Sequence, residues 1–291
     1  MTKKIKENKT FSYINYSLII LFTLAIIIPL LNIVSSSFAG SRALAEGNFI
    51  FFPSEWSLDN YRAVLNDSSM WTAFCVSFFK TVLGVITHIF FCAMVAYGLS
   101  KRYLIGRKVY TIMGIITLFF SGGMIPTYLL MKDLHLLNNF WVYIIPQLFS
   151  YYDVIILMNF FRQLPDSLEE AAIIDGAGAW RILLTIIMPL SKPALATIAL
   201  FNGVYQWNDF MTAKLYITTK RTLYPLQMKL YEIIVQQQAA TMNNIGNFVV
   251  QTTSKGIQLA TIVVTTVPIL VIYPLLQKHF VSGMMLGSVK E

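Results

Sequence analysis

The chain has 291 residues, 56% of them hydrophobic and only 12% charged, with a net charge of +8 and a mean hydropathy of +0.62. So few charges, bunched between long uncharged runs, cannot cover the surface of a soluble chain of this length, which excludes a soluble enzyme and makes nucleic-acid binding a poor explanation of the basic balance. The composition predicts an all-α polytopic membrane protein, and its continuous apolar runs lack the alternation of roughly 10-residue barrel strands.

A run of about 20 apolar residues crosses the hydrocarbon core, and six such segments follow in order. A basic tail, 1–10, carries Lys3, Lys4, Lys6 and Lys9. Residues 11–41 then contain no charge, which exceeds the apolar core of a signal peptide and predicts a retained first span over about 16–34. The second span is expected at 76–100. Cys75 and Cys92 lie 17 positions apart there, about 25 Å along a helix, too far for a disulfide. Lys80 sits near the start of this span, where its long stem predicts snorkelling toward the outer interface. The third span, 109–131, contains Gly122, Gly123 and Pro126, which predict a kink.

The fourth span, 140–161, carries Asp153 about two-thirds of the way through. A carboxylate at that depth either lines a water-filled path or pairs with another helix. The fifth, 190–210, is interrupted by Asp209 and ends in YQWNDF at 205–210. Rings beside amides suit sugars, whose C–H faces stack while their hydroxyls hydrogen-bond, so Tyr205, Trp207 and Asn208 are candidate solute contacts. An interfacial aromatic belt is the competing explanation. The sixth span, 257–276, leads into a short tail, 277–291, whose Lys278 and His279 can meet lipid phosphates.

Basic residues near span ends resist translocation. With the N-terminus inside, 13 Lys and Arg fall on the cytoplasmic side and eight on the outer side, and the net charges are +7 and +1. Both termini are therefore expected in the cytoplasm. His88, His135 and His279 are scattered and form no metal-ligand spacing, and no GxxxxGK(S/T) phosphate loop occurs, so the chain is expected to be neither an enzyme nor a metal protein.

The cytoplasmic loop 162–192 contains LPDSLEEAAIIDGAGAW at 164–180. Ser167 followed by Glu170 fits a capping box, which predicts a two-turn helix over 168–174, stopped by Asp175 and Gly176, with a second helix from near Ala177 to Pro189. A helix this short is unstable alone and must pack on something, either lipid or another protein. The small side chains of Ala171, Ala172, Gly176, Ala177, Gly178 and Ala179 allow close approach.

The pattern EAAxxDGA at 170–177, followed by Ile186, Met188, Pro189 and Pro193, resembles the EAA loop of the membrane subunits of binding-protein-dependent ABC importers. Met188 stands where leucine is usual and Leu183 where phenylalanine is frequent, both apolar replacements. AYGLS at 96–100, LP at 164–165 and LQKHFVSGMMLGSVK at 276–290 are similar to the maltose-type carbohydrate subgroup. SGGMIP at 121–126 resembles its branch for oligosaccharides from complex or acidic polysaccharides.

The resemblance implies a type I ABC importer permease fold with six transmembrane helices in a bacterial cytoplasmic membrane. It implies a coupling helix in which Glu169, Glu170, Ala171, Ala172, Asp175, Gly176 and Ala177 meet an ATPase, with Asp153, Tyr205, Trp207 and Asn208 as candidates for the solute path. The implied partners are a second permease, two ATP-binding subunits that hold ATP and Mg, and an extracytoplasmic sugar-binding protein. The chain itself is expected to bind no cofactor. An importer of a non-sugar solute and a secondary transporter are the alternatives.

Overall fold

The computed structural model describes residues 9–45, 51–242 and 248–288, with side chains described outside 240–253 and 275–288. The tails beyond these ranges, including Lys3, Lys4 and Lys6, and the side chains of Lys278 and His279 lie outside the described residues. In chain order the helices are α1 (Lys9–Ser37), α2 (Ser41–Ala45), α3 (Asp59–Asn66), α4 (Ser68–Ser100), α5 (Arg107–Phe119), α6 (Met124–Asp133), α7 (Tyr151–Phe161), α8 (Asp166–Ile174), α9 (Ala179–Leu190), α10 (Lys192–Asn208), α11 (Met211–Tyr216), α12 (Leu226–Met242) and α13 (Phe248–Ser288). No strand occurs among the described residues, only one antiparallel bridge between Ala39 and Trp56.

Three helical segments are each long and apolar enough to cross a membrane: Lys9–Ser37, Ser68–Ser100 and Ser254–Pro274. Three bent pairs bring the number to six if each is one span. The bend within 109–131 corrects the expectation of a plain kink at Gly122, Gly123 and Pro126. Between α5 and α6 the chain turns by 113°, far beyond a proline kink. The cause is local: Phe120 is extended and Gly123 has φ +86°, a conformation that an L side chain rarely adopts. The 3-10 segment at 140–147 meets α7 at 50°. α9 meets α10 at 83°, at the point where Pro193 has no N–H to continue the ladder. A π turn at Leu183–Ile187 precedes Pro189 and keeps that proline inside α9, beyond its expected end.

The chain divides into two compact units, Met1–Asp67 with Glu232–Thr266, and Ser68–Tyr231 with Val267–Glu291. In the first, α1 exposes its apolar surface along its length and buries only Ser35, Ser36 and Ser37 at its end. The Ser37 hydroxyl lies 2.6 Å from Tyr61 Oη, and the Asn60 amide donates to the carbonyls of Ser37 (3.2 Å) and Ala39 (3.1 Å). Gly256 meets that same amide so closely that a Cβ there would come within 2.4 Å of it.

The second unit is organised by α4, which packs along α7 on one side and α10 on the other. Its buried residues recur every three or four positions: Ala73, Ser77, Lys80, Gly84, His88, Cys92, Ala96 and Leu99. That spacing is one helical stripe, and its residues are small or polar rather than bulky. Small residues let backbones approach where lipid supplies no hydrophobic drive between helices. Gly84 admits the Gln206 side chain of α10, and Gly114 of α5 admits the Tyr151 ring of α7. Cys75 is exposed and Cys92 buried, and both are free thiols.

A Cβ on Gly114 would fall 2.1 Å from the buried Tyr151 ring, whereas one on Gly98 meets nothing within 4 Å. Gly114→Ala is therefore expected to cost about 1–3 kcal/mol by overpacking. Gly98→Ala, in the same kind of helical backbone, should be neutral or slightly stabilising. Thermal unfolding of the two variants in detergent checks the contrast.

Candidate functional site

α8 begins after Pro165, two residues earlier than a Ser167 cap requires, so the capping box does not form: Ser167 lies inside the first turn and no side chain caps the helix. Asp166 and Glu169 in the first turn supply negative charge to the helix N-terminus instead. The stop is as the sequence suggests. Gly176 has φ +78°, its N–H donates to Ile173 O (2.9 Å), and the Ala177 N–H donates to Ala172 O (2.9 Å). These two bonds form a Schellman ending, which satisfies carbonyls that a helix terminus would otherwise leave open. Gly178 then starts α9 from an extended conformation.

Two neighbouring acids divide between opposite faces. Glu169 is half-buried and forms an ion pair with Lys101, just past the end of α4, and the Lys101 ammonium also sits 4.1 Å from the centre of the Tyr97 ring. Glu170 and Ala171 are exposed, as are Ile173 (59%) and Ile174 (85%). Ala172 and Ala177 turn inward and pack with Leu164 against the core formed by α4, α7 and α9. Of the seven coupling residues expected from sequence, the fold thus uses Glu169, Ala172 and Ala177 to seat the helix, and it presents Glu170, Ala171, Asp175 and Gly176 outward.

The seat has further ties that the sequence did not reveal. The Arg162 guanidinium donates to Leu99 O (3.3 Å), and Trp180 stacks on Phe90 with rings 9° from parallel. A polar cavity of about 310 Å³ lies beside α8, lined among others by Lys101, Arg102, Arg107, Arg162, Asp166 and Glu170. Burial, and then the like charge of Arg107, lower the pKa of Arg162 from its ordinary value.

Inside the bundle the ionisable groups are paired. Lys80 does not snorkel. It is fully buried, donating to Asp209 Oδ2 (3.1 Å) and Asp209 O (2.8 Å), with the Tyr143 ring centre 4.7 Å away. Buried away from water, its ammonium is satisfied by the carboxylate of Asp209, just past the end of α10. Asp209 Oδ1 in turn accepts from the Thr212 N–H at the start of α11. Of the two possibilities for Asp153, the structure shows helix pairing. His88 Nε2 lies 2.9 Å from Asp153 Oδ2, and His88 Nδ1 donates to Gln147 O at 2.7 Å. One imidazole thereby grips both sides of the bend between 140–147 and α7.

The aromatic and amide candidates of α10 do not share a face. Tyr205 and Asn208, three positions apart, are exposed. Trp207 points the other way, is 5% exposed, and packs edge-on against Phe74 with ring centres 6.2 Å apart. No group of three or more His, Cys, Asp or Glu positioned to hold a metal occurs among the described residues.

The described residues form a helical bundle with sharply broken spans, on which a short glycine-stopped helix is seated. Residues 18–286 match the family of binding-protein-dependent transport system inner membrane components, and the chain belongs to that family. It is 39% identical to the polygalacturonan/rhamnogalacturonan transport system permease protein YtcP of Bacillus subtilis over 286 residues, covering 98% of this chain and 99% of that protein. It is 43% identical to protein LplC of the same organism over 264 residues, 91% of this chain and 89% of that one. Its fold overlays, with a TM-score of 0.84 and 31% identity, on a crystal structure of a bacterial ABC transporter involved in the import of the acidic polysaccharide alginate, covering 96% of this chain and all of that one. The chain is thus a transport permease subunit with the type I importer fold.

The Lys101–Glu169 pair is partly shielded, so removing one partner is expected to loosen α8 by about 1–2 kcal/mol. Lys101→Ala should speed hydrogen exchange of the 168–174 amides roughly tenfold. The swapped pair, Lys101→Glu with Glu169→Lys, should recover most of the protection.

Proposed function

We propose that this chain is one permease subunit of an ATP-driven importer of oligosaccharides, forming half of the translocation path. It works with a second, similar permease, two ATPase subunits that bind ATP and Mg, and an extracytoplasmic sugar-binding protein. The observation that carries the reading is the division of α8 into a seated face and an exposed one. Lys101, Ala172 and Ala177 hold the helix on the bundle, while Glu170, Ala171, Ile173 and Ile174 stand free to meet another protein. Two exposed isoleucines on a two-turn helix are costly in water and suit a cleft in a partner. Motor movement delivered to this helix passes through the seat to α4, α7 and α9 together.

The relatives' names support the solute class, since polygalacturonan, rhamnogalacturonan and alginate are all carbohydrate polymers. The distribution of Lys and Arg supports a cytoplasmic placement of both termini and of α8 in a bacterial cytoplasmic membrane. A secondary transporter would need an intramembrane group free to load and release an ion. Lys80, His88, Asp153 and Asp209 are instead paired with one another.

The Schellman turn gives the test. Gly176 has φ +78° and open space around it, so its conformation rather than crowding restricts what can replace it. A β-branched residue there costs about 1–2 kcal/mol or more and shifts the turn, whereas asparagine tolerates the left-handed region. Gly176→Val should leave the subunit inserted and assembled but abolish the link between ATP hydrolysis and sugar uptake, and Gly176→Asn should retain much of it. Normal coupled uptake by Gly176→Val in proteoliposomes would count against the assigned role of the turn.

A further inference from the structure

We propose that the polar cavity beside α8 is a binding site for one singly charged phosphate group, the kind that an anionic phospholipid carries in its headgroup. The inference goes beyond the importer reading and holds whatever the solute. The cavity measures about 310 Å³, within the range of small-ligand sites, and four segments wall it: the end of α4 with the turn that follows, the start of α5, the end of α7 and one flank of α8. Positions 166, 169, 170 and 173 of α8 all line it, at the spacing of one helical stripe. Each of the other three segments contributes an arginine, Arg102, Arg107 and Arg162 in turn.

The charges of this lining do not balance. Lys101 is taken by Glu169. Three arginines then face two carboxylates, Asp166 and Glu170, and none of these five makes an ion pair among the described residues. Arg162 bonds only uncharged acceptors, Leu99 O at 3.3 Å and Met158 Sδ at 3.0 Å. Burial, and then the like charge of Arg107, lower its pKa, so the two cations lie near enough to repel. One added negative charge closes the balance and relieves that repulsion. A phosphodiester carries one such charge, and the planar fork of an arginine matches a pair of its oxygens. A phosphomonoester, with nearly two charges at neutral pH, overshoots.

The surroundings point to the membrane as the source of the phosphate. α4 ends at Ser100, α5 starts at Arg107 and α7 ends at Phe161, so the cavity lies where three apolar helices terminate. In the turn after α4, Tyr103 and Ile105 are 81% and 92% exposed, and Lys108 is exposed just beyond. A ring, a branched aliphatic and basic side chains at span ends are the composition of a membrane interface, where anionic headgroups lie. A phosphate held between Arg107 and Arg162 joins the start of α5 and the end of α7 beside α8. It adds a tie to the one that Lys101 and Glu169 already provide, so the seat of α8 is firmer in an anionic membrane.

The test uses the assembled transporter in maltoside micelles, which contain no phosphate, and reads hydrogen exchange of the amides of 101–107 and 168–174. Added phosphatidylglycerol should slow exchange about fivefold, and phosphatidylcholine, whose choline cancels its phosphate charge, should do little. Inorganic phosphate is the soluble arm. Protection by phosphatidylglycerol alone assigns the site to lipid, and protection by both assigns it to phosphate from either source. Arg107→Gln should lose the protection and Arg107→Lys should keep part of it. Lys108→Gln, which removes an exposed charge outside the cavity lining, should keep all of it. Equal losses in Arg107→Gln and Lys108→Gln would reduce the effect to general attraction to a charged surface and overturn the site. Equal protection by phosphatidylcholine would overturn it as well. So would indifference to both anions, the result expected if an acidic side chain of the ATPase fills the cavity.

Discussion

A charge can remain inside an apolar bundle only beside its opposite, and here three such pairings run through or just past one helix. Lys80 and His88 on the buried stripe of α4, and Lys101 one residue past its end, each take a carboxylate from a different segment: Asp209 after α10, Asp153 of α7 and Glu169 of α8. From Lys80 to Lys101 the helix rises about 31 Å, close to the thickness of the hydrocarbon core. α4 therefore ties down the end of α10, the bend before α7 and the seat of α8, one at each level. The glycines at 84 and 114 complete the arrangement by letting the neighbouring helices approach.

This arrangement holds the bundle together across the bend before α7. A bend frees backbone groups and weakens a span unless something holds both of its arms. His88 does so for the 50° bend, bonding Gln147 O on one arm and Asp153 on the other. α8 and α9 gain rigidity from the same core, through Ala172, Ala177, Ile182 and Leu183. The exposed side of α8 therefore belongs to a connected structure rather than a loose loop. α10 packs along α4 in the same unit, so it shares its anchor with the seat of α8.

Much of this was legible in the residues themselves. Uncharged runs of span length marked the apolar helices, and the EAAxxDGA pattern located a short helix and its glycine turn, because a positive φ has a strong residue preference. The Ser167–Glu170 capping box was a false signal: the same residue spacing occurs inside a helix that begins two residues before the expected start, at Asp166. The sharpness of the bend at 120–123 was also hidden. A pair of glycines permits many conformations, and only packing selects one.

What the sequence determined alone is the solvent and the class. Hydropathy over a span's length is a sum of local terms, and it needs no knowledge of neighbours to say that these segments leave water. What the tertiary structure alone decided is the partner of each polar side chain. Lys80 and Asp209 are 129 positions apart, and Asp153 and His88 are 65. Whether a buried charge faces lipid, water or its opposite depends on which helices meet, a relation between distant segments that no local pattern encodes.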